Sequence, residues 1–253
     1  MVAPAILTRD EYHLRIRQNV DALNARMSLA AYFTSTNKRD KVLFYFMGRA
    51  AQIGEASFRI SDLPMPLFVL ARVLCEDFFT MYWVSLSEKN ADEYQKAAIS
   101  EMAKIIQKNL TNKRARIRHI SSKKDVTAQF LPKLSRRIIK KKTIQEIAAA
   151  SGLSKAYDIV YRYDSLEVHG NTFEVSDMKP QMDGVAVAAS AVNALLRAIL
   201  LVVDNKDCPL TADEILAALN MVHGDFTTPA DAVTGNRAFT ALRAKAKSAS
   251  QGG

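Results

Sequence analysis

Apolar residues recur along most of this chain every three to four positions, which is the spacing of one face of an α-helix. Convincing runs of alternating apolar and polar residues, joined by hairpin-type turns, do not stand out. The pattern therefore predicts an all-α fold. The expected helices are 9–33, 40–58, 67–86, 91–110, 129–141, 143–150, 154–169, 183–204 and 211–223.

Short polar and proline signals indicate where several of these helices begin. Asn37 and its polar neighbours offer side-chain oxygens that cap a helix start. Residues 61–66, SDLPMP, place two prolines where the first turn of a helix tolerates them. Thr143 and Glu146 have the spacing of a capping box. On the first helix, we expect Leu14, Val20, Leu23, Met27 and Ala30 or Ala31 to face inward.

These elements divide the chain into three predicted parts. Residues 1–60 form an N-terminal helical hairpin packed on the core, and residues 61–224 form the main helical domain. Residues 225–253, rich in Ala, Lys, Ser and Gly, form a flexible tail.

The longest apolar run, residues 185–203, approaches the length of a membrane span but contains Asn193 and Arg197. Because an arginine inside a spanning helix costs roughly 2.5 kcal/mol or more, we expect a helix buried in protein and no membrane partner. The N-terminus lacks the apolar region of a secretory signal, which favours a cytoplasmic location. Cys75 and Cys208 lack a CxxC or Cys/His cluster, so we expect reduced thiols, no metal site and no cofactor.

The net charge of +9 is concentrated in one segment. Residues 113–142, here called the basic segment, contain twelve Lys or Arg and a single acid, Asp125. Such a patch attracts polyanions, and nucleic acid is the commonest one in the cytoplasm. The alternative is a solvated linker without a dedicated ligand. The cations assigned to RNA binding are Lys113, Arg114, Arg116, Arg118, Lys123, Lys124, Arg136, Arg137, Lys140, Lys141 and Lys142.

Candidate chemistry lies in residues 161–170, YRYDSLEVHG, which place Arg162 and His169 two helical turns apart on one face. Arginine forks onto phosphate oxygens, and histidine exchanges protons near neutral pH. Ser165 lies near the same face and can orient the imidazole or a substrate oxygen. The alternative is a packed or solvated pair without catalytic function.

A second polar pair, Arg72 and Glu76, lies one turn apart within the apolar helix at 67–86. Because buried charges require partners, we expect this pair to meet another polar helix, and the Arg162/His169 face is the candidate. A purely structural intrahelical bridge is the alternative.

Two further patterns allow other interpretations. Tyr157, Tyr161 and Tyr163 can stack on RNA bases, or can pack with a polar tip at the surface. Residues 144–162, IQEIAAASGLSKAYDIVYR, resemble a helix-turn-helix, which would indicate a DNA-binding regulator. The second helix of that pattern is too apolar for a typical groove reader.

The segments LARVLCEDFFTMYWV and YDIVYRYDSLEVHG resemble a group of bacterial all-helical proteins with R-x-x-x-E and Y-R-x-x-S-x-x-x-H-G patterns. That group in turn resembles the HEPN superfamily, which combines a helical bundle with an Arg and a His separated by four to six residues. The resemblance covers roughly residues 63–203, with the basic segment as an insertion.

The resemblance implies a HEPN-like, metal-independent endoribonuclease acting as a toxin or antiphage effector. Arg162 would stabilise charge on the phosphate and His169 would act as general acid or base, with Ser165, Arg72 and Glu76 in support. RNA, a second copy in a homodimer, and an antitoxin or other defence protein are the implied partners. The alternative is a noncatalytic helical module that binds nucleic acid or protein.

Overall fold

The computed structural model describes residues 8–29, 36–158, 184–215 and 217. Within those ranges the chain is helical, and its only β-type pairing is an isolated bridge between Arg118 and Asp125. The prediction of an all-α fold is therefore confirmed for the described residues. The helices are α1 (Arg9–Met27), α2 (Lys38–Arg59), α3 (Pro64–Ser85), α4 (Glu88–Thr111), α5 (Thr127–Ser135), α6 (Ile144–Ala150), α7 (Ser154–Ala156) and α8 (Gly184–Asp204).

Local capping explains why several helices begin where they do. Asn37 accepts a hydrogen bond from the Asp40 N–H at 3.2 Å, and this bond starts α2. Thr143 and Glu146 form the predicted reciprocal capping box at the start of α6. Pro64 occupies the first turn of α3, where its missing N–H leaves no hydrogen bond unmade.

The core is arranged around α8, which packs against α1, α2 and α3. Although α8 is long and apolar enough to cross a membrane, 78% of its most apolar stretch is buried inside the molecule. Its buried Asn193 is satisfied, because Asn193 Oδ1 accepts a hydrogen bond of 2.9 Å from the Asn19 amide of α1. The predicted burial of the 185–203 run in protein is confirmed.

The inward face of α1 differs from the predicted one. Ile16, Val20 and Leu23 are buried, whereas Leu14 is exposed. Positions 16, 20 and 23 follow the i, i+4, i+7 spacing of one helix face. Leu14 is two residues before Ile16 and therefore points to nearly the opposite side of the helix. The apolar pattern was correct, but one exposed leucine was wrongly included.

The remaining helices surround this core. The α4 helix packs on α2 and α3, α5 packs on α4, and α6 packs on α3. Residues of α1 and α2 belong to the same buried cluster as those of α3 and α8. The boundary at residue 60 stays a prediction, and the proposed tail at 225–253 lies outside the described residues.

Candidate functional site

The basic segment leaves the C-terminus of α4 through a tight turn. Asn109 O accepts hydrogen bonds from the N–H groups of Arg114 and Ala115, and Lys113 adopts a left-handed conformation with φ 56°. The chain then forms a small hairpin before α5. This turn directs the basic segment back along α4 instead of continuing the helix.

The hairpin is held by a few backbone and side-chain bonds. His119 N–H donates to Lys124 O, and Val126 N–H donates to Ile117 O, both at 2.9 Å. At its base, hydrogen bonds from the Thr127 side chain and backbone lower the pKa of Asp125, and nearby arginines add to this effect. Ile120 lies at the tip and is 87% exposed. The hairpin therefore presents an apolar residue between cations.

After α5, the segment runs extended alongside α4. Ser100 Oγ of α4 accepts the Ile139 N–H at 2.8 Å and donates to Ile139 O at 3.1 Å. This exchange replaces helical hydrogen bonds, so α5 ends at Ser135 and the predicted continuation to residue 141 was wrong. The last cations, residues 140–142, are thereby placed beside α6 and the start of α4.

The cations of the basic segment face outward. All twelve are exposed except Lys142, which is half-buried over the Trp83 ring. Among the described residues, two of these twelve cations form ion pairs within 4 Å. Lys140 pairs with Glu146, and Lys142 pairs with Glu93. Most of the predicted RNA-binding cations are thus available to a polyanion.

Arg72 and Glu76 form an ion pair on α3, with 3.7 Å between Arg72 Nε and Glu76 Oε1. The side chains of Arg72 and Glu76 are 23% and 39% exposed, so the expectation that this pair is buried was wrong. The intrahelical bridge that the sequence suggested as an alternative is present. Both residues also make an interaction beyond this bridge.

The ring of Tyr157, near the end of the described range 36–158, packs against α3. Its ring lies 6.1 Å from the Phe79 ring, at 57°. Arg72, Glu76 and Phe79 follow the i, i+4, i+7 spacing and therefore share one stripe of α3. Tyr157 precedes Arg162 by five residues, and the described part of the chain before the candidate motif ends at Asp158.

The central motif residues are not among those described. Arg162, Ser165 and His169 lie outside the described residues, as do Tyr161 and Tyr163. Their roles stay predictions. Within the described ranges, no group of three or more His, Cys, Asp or Glu is arranged to hold a metal ion, and Cys75 and Cys208 are free thiols.

One charged contact was missed by the sequence reasoning. Asp77 of α3 is buried, and its Oδ2 lies 3.0 Å from Arg49 Nε of α2 without the alignment of a hydrogen bond. Burial raises the pKa of Asp77 to about 7, against the opposing effect of Arg49. The available signal was Arg49 itself, an arginine within the apolar run of α2.

Comparison with known proteins places the chain in a family without providing an activity. No curated protein and no solved structure showed significant similarity to it. A family model, described as a family of unknown function (DUF5677), matches residues 40–182, which is more than half of the chain. The matched region includes α2 to α7, the basic segment and the Arg162–His169 motif. The chain belongs to the DUF5677 family.

Proposed function

We propose that this protein is an RNA-directed, HEPN-like endoribonuclease that works without a metal ion. The observation that carries the proposal is the Tyr157–Phe79 contact, which anchors the chain five residues before Arg162 on the α3 stripe of Arg72 and Glu76. In the proposed site, Arg162 supplies a cation for the phosphate, His169 supplies the proton carrier, and the Arg72–Glu76 pair supports them.

In this mechanism, the ribose 2′-hydroxyl attacks the adjacent phosphorus while the 5′-oxygen of the next nucleotide leaves, giving a cyclic phosphate. His169 transfers the proton, and Arg162 neutralises charge that develops on the phosphate oxygens. Ser165 and Glu76 orient these groups, and Arg72 holds Glu76. The proposal requires Arg162 and His169 to reach the Arg72–Glu76 stripe.

The exposed basic segment supports RNA as the substrate class. Its unpaired cations can neutralise successive phosphates, and the hairpin tip adds an apolar side chain, Ile120, that can contact a base. Tyr163 is proposed to stack on a base near the scissile bond. A toxin or phage-defence role, a homodimer and an antitoxin partner belong to the same proposal.

Incubation of purified protein with total RNA in EDTA tests the catalytic part. We expect cleavage products with cyclic phosphate ends, and at least about a 100-fold loss of rate in the Arg162→Ala, His169→Ala double variant. Arg59→Ala, an exposed arginine at the end of α2, is the matched control and should cleave like the wild type. Equal cleavage by the double variant would remove the enzyme proposal.

A noncatalytic nucleic-acid- or protein-binding module is the second candidate, and the Arg72–Glu76 bridge is the observation that favours it. Each charge of this pair already has a partner on its own helix, as a structural network requires. The same experiment distinguishes the two candidates. The nuclease would cleave the RNA, whereas the noncatalytic module would bind RNA with strong salt dependence and leave it intact.

A further inference from the structure

We propose that α4 binds an amphipathic helix with acidic flanks from a partner protein. The docking surface, here called the α4 apolar face, consists of Ile99, Met102, Ile105 and Ile106. The inference does not depend on RNA cleavage, although the rim of this face shares Lys113 and Arg114 with the basic segment.

The geometry of α4 gives it two apolar faces. Ala97, Ser100, Ala103 and Leu110 are buried against the rest of the molecule. Ile99, Met102 and Ile106 follow the i, i+3, i+7 spacing on another face, which Ile105 widens. These four side chains are 53%, 65%, 37% and 62% exposed, in the order Ile99, Met102, Ile106, Ile105. A helix of a self-sufficient fold would carry polar residues there.

A contiguous row of large apolar side chains indicates a binding surface more than isolated exposed residues do. Because burial of apolar surface drives most protein association, this face can supply the main part of a specific affinity. The spacing also matches that of the anchors by which amphipathic helices engage a partner, and Met102 can adapt its shape to the docked surface.

The charges around the face select the partner. The acids of α4 are already paired with cations: Glu88 with Arg39, Asp92 with Lys38 and Lys96, Glu93 with Lys142, and Glu101 with Lys104. At the C-terminal end of the face, by contrast, Lys108, Lys113 and Arg114 are exposed cations. In the part of the chain described, none of these three forms an ion pair. A partner helix with Asp or Glu beside its apolar stripe would complement this rim.

The same charges argue against other occupants. A second copy docked through this face would offer the cationic rim no free carboxylate of α4, because those acids are already paired with cations. RNA gains little here, because the four side chains offer neither cations for phosphates nor aromatic rings for bases. An anionic lipid surface would suit the rim, but the face lacks the aromatic residues that are typical of interfacial helices.

A displayed library of amphipathic helices provides the test. Its apolar stripe is fixed, and its flanking positions vary among Glu, Lys, Ser and Gln. Selection on the full-length protein should enrich Glu at the flanks. In solution, Met102→Asp should weaken the best acidic peptide by about tenfold or more, because it places a charge in the centre of the face.

Gln52→Asp is the matched control, since it adds the same charge at an exposed position of α2 and should keep wild-type affinity. Lys108→Glu should reduce the preference for Glu flanks. The fold of each variant is verified by circular dichroism and thermal unfolding. The proposal is overturned by an absence of enrichment, by enrichment of Lys, or by unchanged binding in Met102→Asp.

Two further measurements identify a different occupant. Self-association in sedimentation velocity that Met102→Asp abolishes would assign the face to contacts between copies. Cosedimentation with phosphatidylserine vesicles that the same substitution abolishes, without peptide enrichment, would assign it to a lipid surface. Either result would replace the acidic helix as the ligand.

Discussion

Asp77 lies on α3 with its carboxyl group inside the fold, where Arg49 of α2 is the nearest countercharge. Glu76 precedes it. Burial raises the pKa of the Tyr94 phenol on α4, and the charges of Tyr45 and then Asp77 add to this effect. Burial favours the protonated carboxyl more than Arg49 favours the charged one, so the pKa of Asp77 rises to about 7.

This shift makes the core sensitive to pH in a definite direction. Between about pH 4 and pH 7 the folded state holds a proton on Asp77 that the unfolded state has lost, so the free energy of unfolding falls as the pH rises. At about 1.4 kcal/mol per pH unit, the loss approaches about 4 kcal/mol and then levels off above pH 7. Asp77→Asn should remove this part of the pH dependence.

Urea unfolding of the wild type and Asp77→Asn at intervals from pH 4.5 to pH 8 measures the effect. We expect the two stability curves to differ in slope, with the gap changing most between pH 5 and pH 7. Asp21→Asn, at an exposed position of α1, is the control and should follow the wild type. Parallel curves for Asp77→Asn and the wild type would contradict the prediction.

The sequence located the polar residues of α3 but did not determine which of them is buried. Arg72, Glu76 and Asp77 lie in one apolar run, and each step along a helix turns the side chain by about 100°. Glu76 therefore stays partly exposed beside Arg72, while Asp77 points inward. Which of these side chains faces inward depends on where α2 packs against α3, and the periodicity within α3 does not specify that position.

At the scale of helices, Gly54 explains how α2 packs closely against both α1 and α8. A Cβ added at Gly54 would lie 2.4 Å from Val20 Cγ2 and 3.2 Å from Leu196 Cδ1. Val20 is β-branched and has little rotamer freedom in a helix, so it cannot move aside cheaply. The missing side chain thus permits the contact of three helices.

We predict opposite effects for two glycine substitutions in α2. Gly54→Ala should destabilise the protein by about 1–3 kcal/mol, because overpacking exceeds the gain in helix propensity. Gly48→Ala should stabilise it by up to about 1 kcal/mol, since its Cβ would meet only Met27 Sδ at 3.5 Å. Thermal and urea unfolding measure both, and stabilisation by Gly54→Ala would show that α2 can shift.

Three helix starts were predictable to within one turn because their signals are local, although the Ser87 cap that begins α4 was overlooked. The starts of α2, α3 and α6 follow from Asn37, Pro64 and Thr143, whose capping or turn chemistry involves residues within one helical turn. The end of α5 was not predictable in this way. It depends on Ser100, which lies 39 residues away from its hydrogen-bond partner Ile139.

At the scale of the whole molecule, helical periodicity was enough to predict the all-α fold of the described residues, and the polar residues within 185–203 were enough to predict that α8 is buried in protein. The hairpin within the basic segment escaped prediction, since its charged residues carry no alternating apolar pattern. For the candidate site, Arg72 and Glu76 form the intrahelical bridge that the sequence offered as an alternative, and the roles of Arg162, Ser165 and His169 stay predictions. The sequence did not predict the exposed α4 apolar face, because periodicity alone does not distinguish an inner face from an exposed one.

The division of charge yields the last prediction. The basic segment carries +11 and the rest of the chain −2, so RNA binding should depend on this segment and not on net charge alone. For single-stranded RNA, log K falls with log [salt] by roughly 0.7 per phosphate contact, so Arg136→Ala with Arg137→Ala should lower the slope by about 1.4. Fluorescence anisotropy over a salt series measures it. Lys41→Ala with Lys89→Ala removes the same charge from exposed positions of α2 and α4, and an equal change there would contradict a local RNA site.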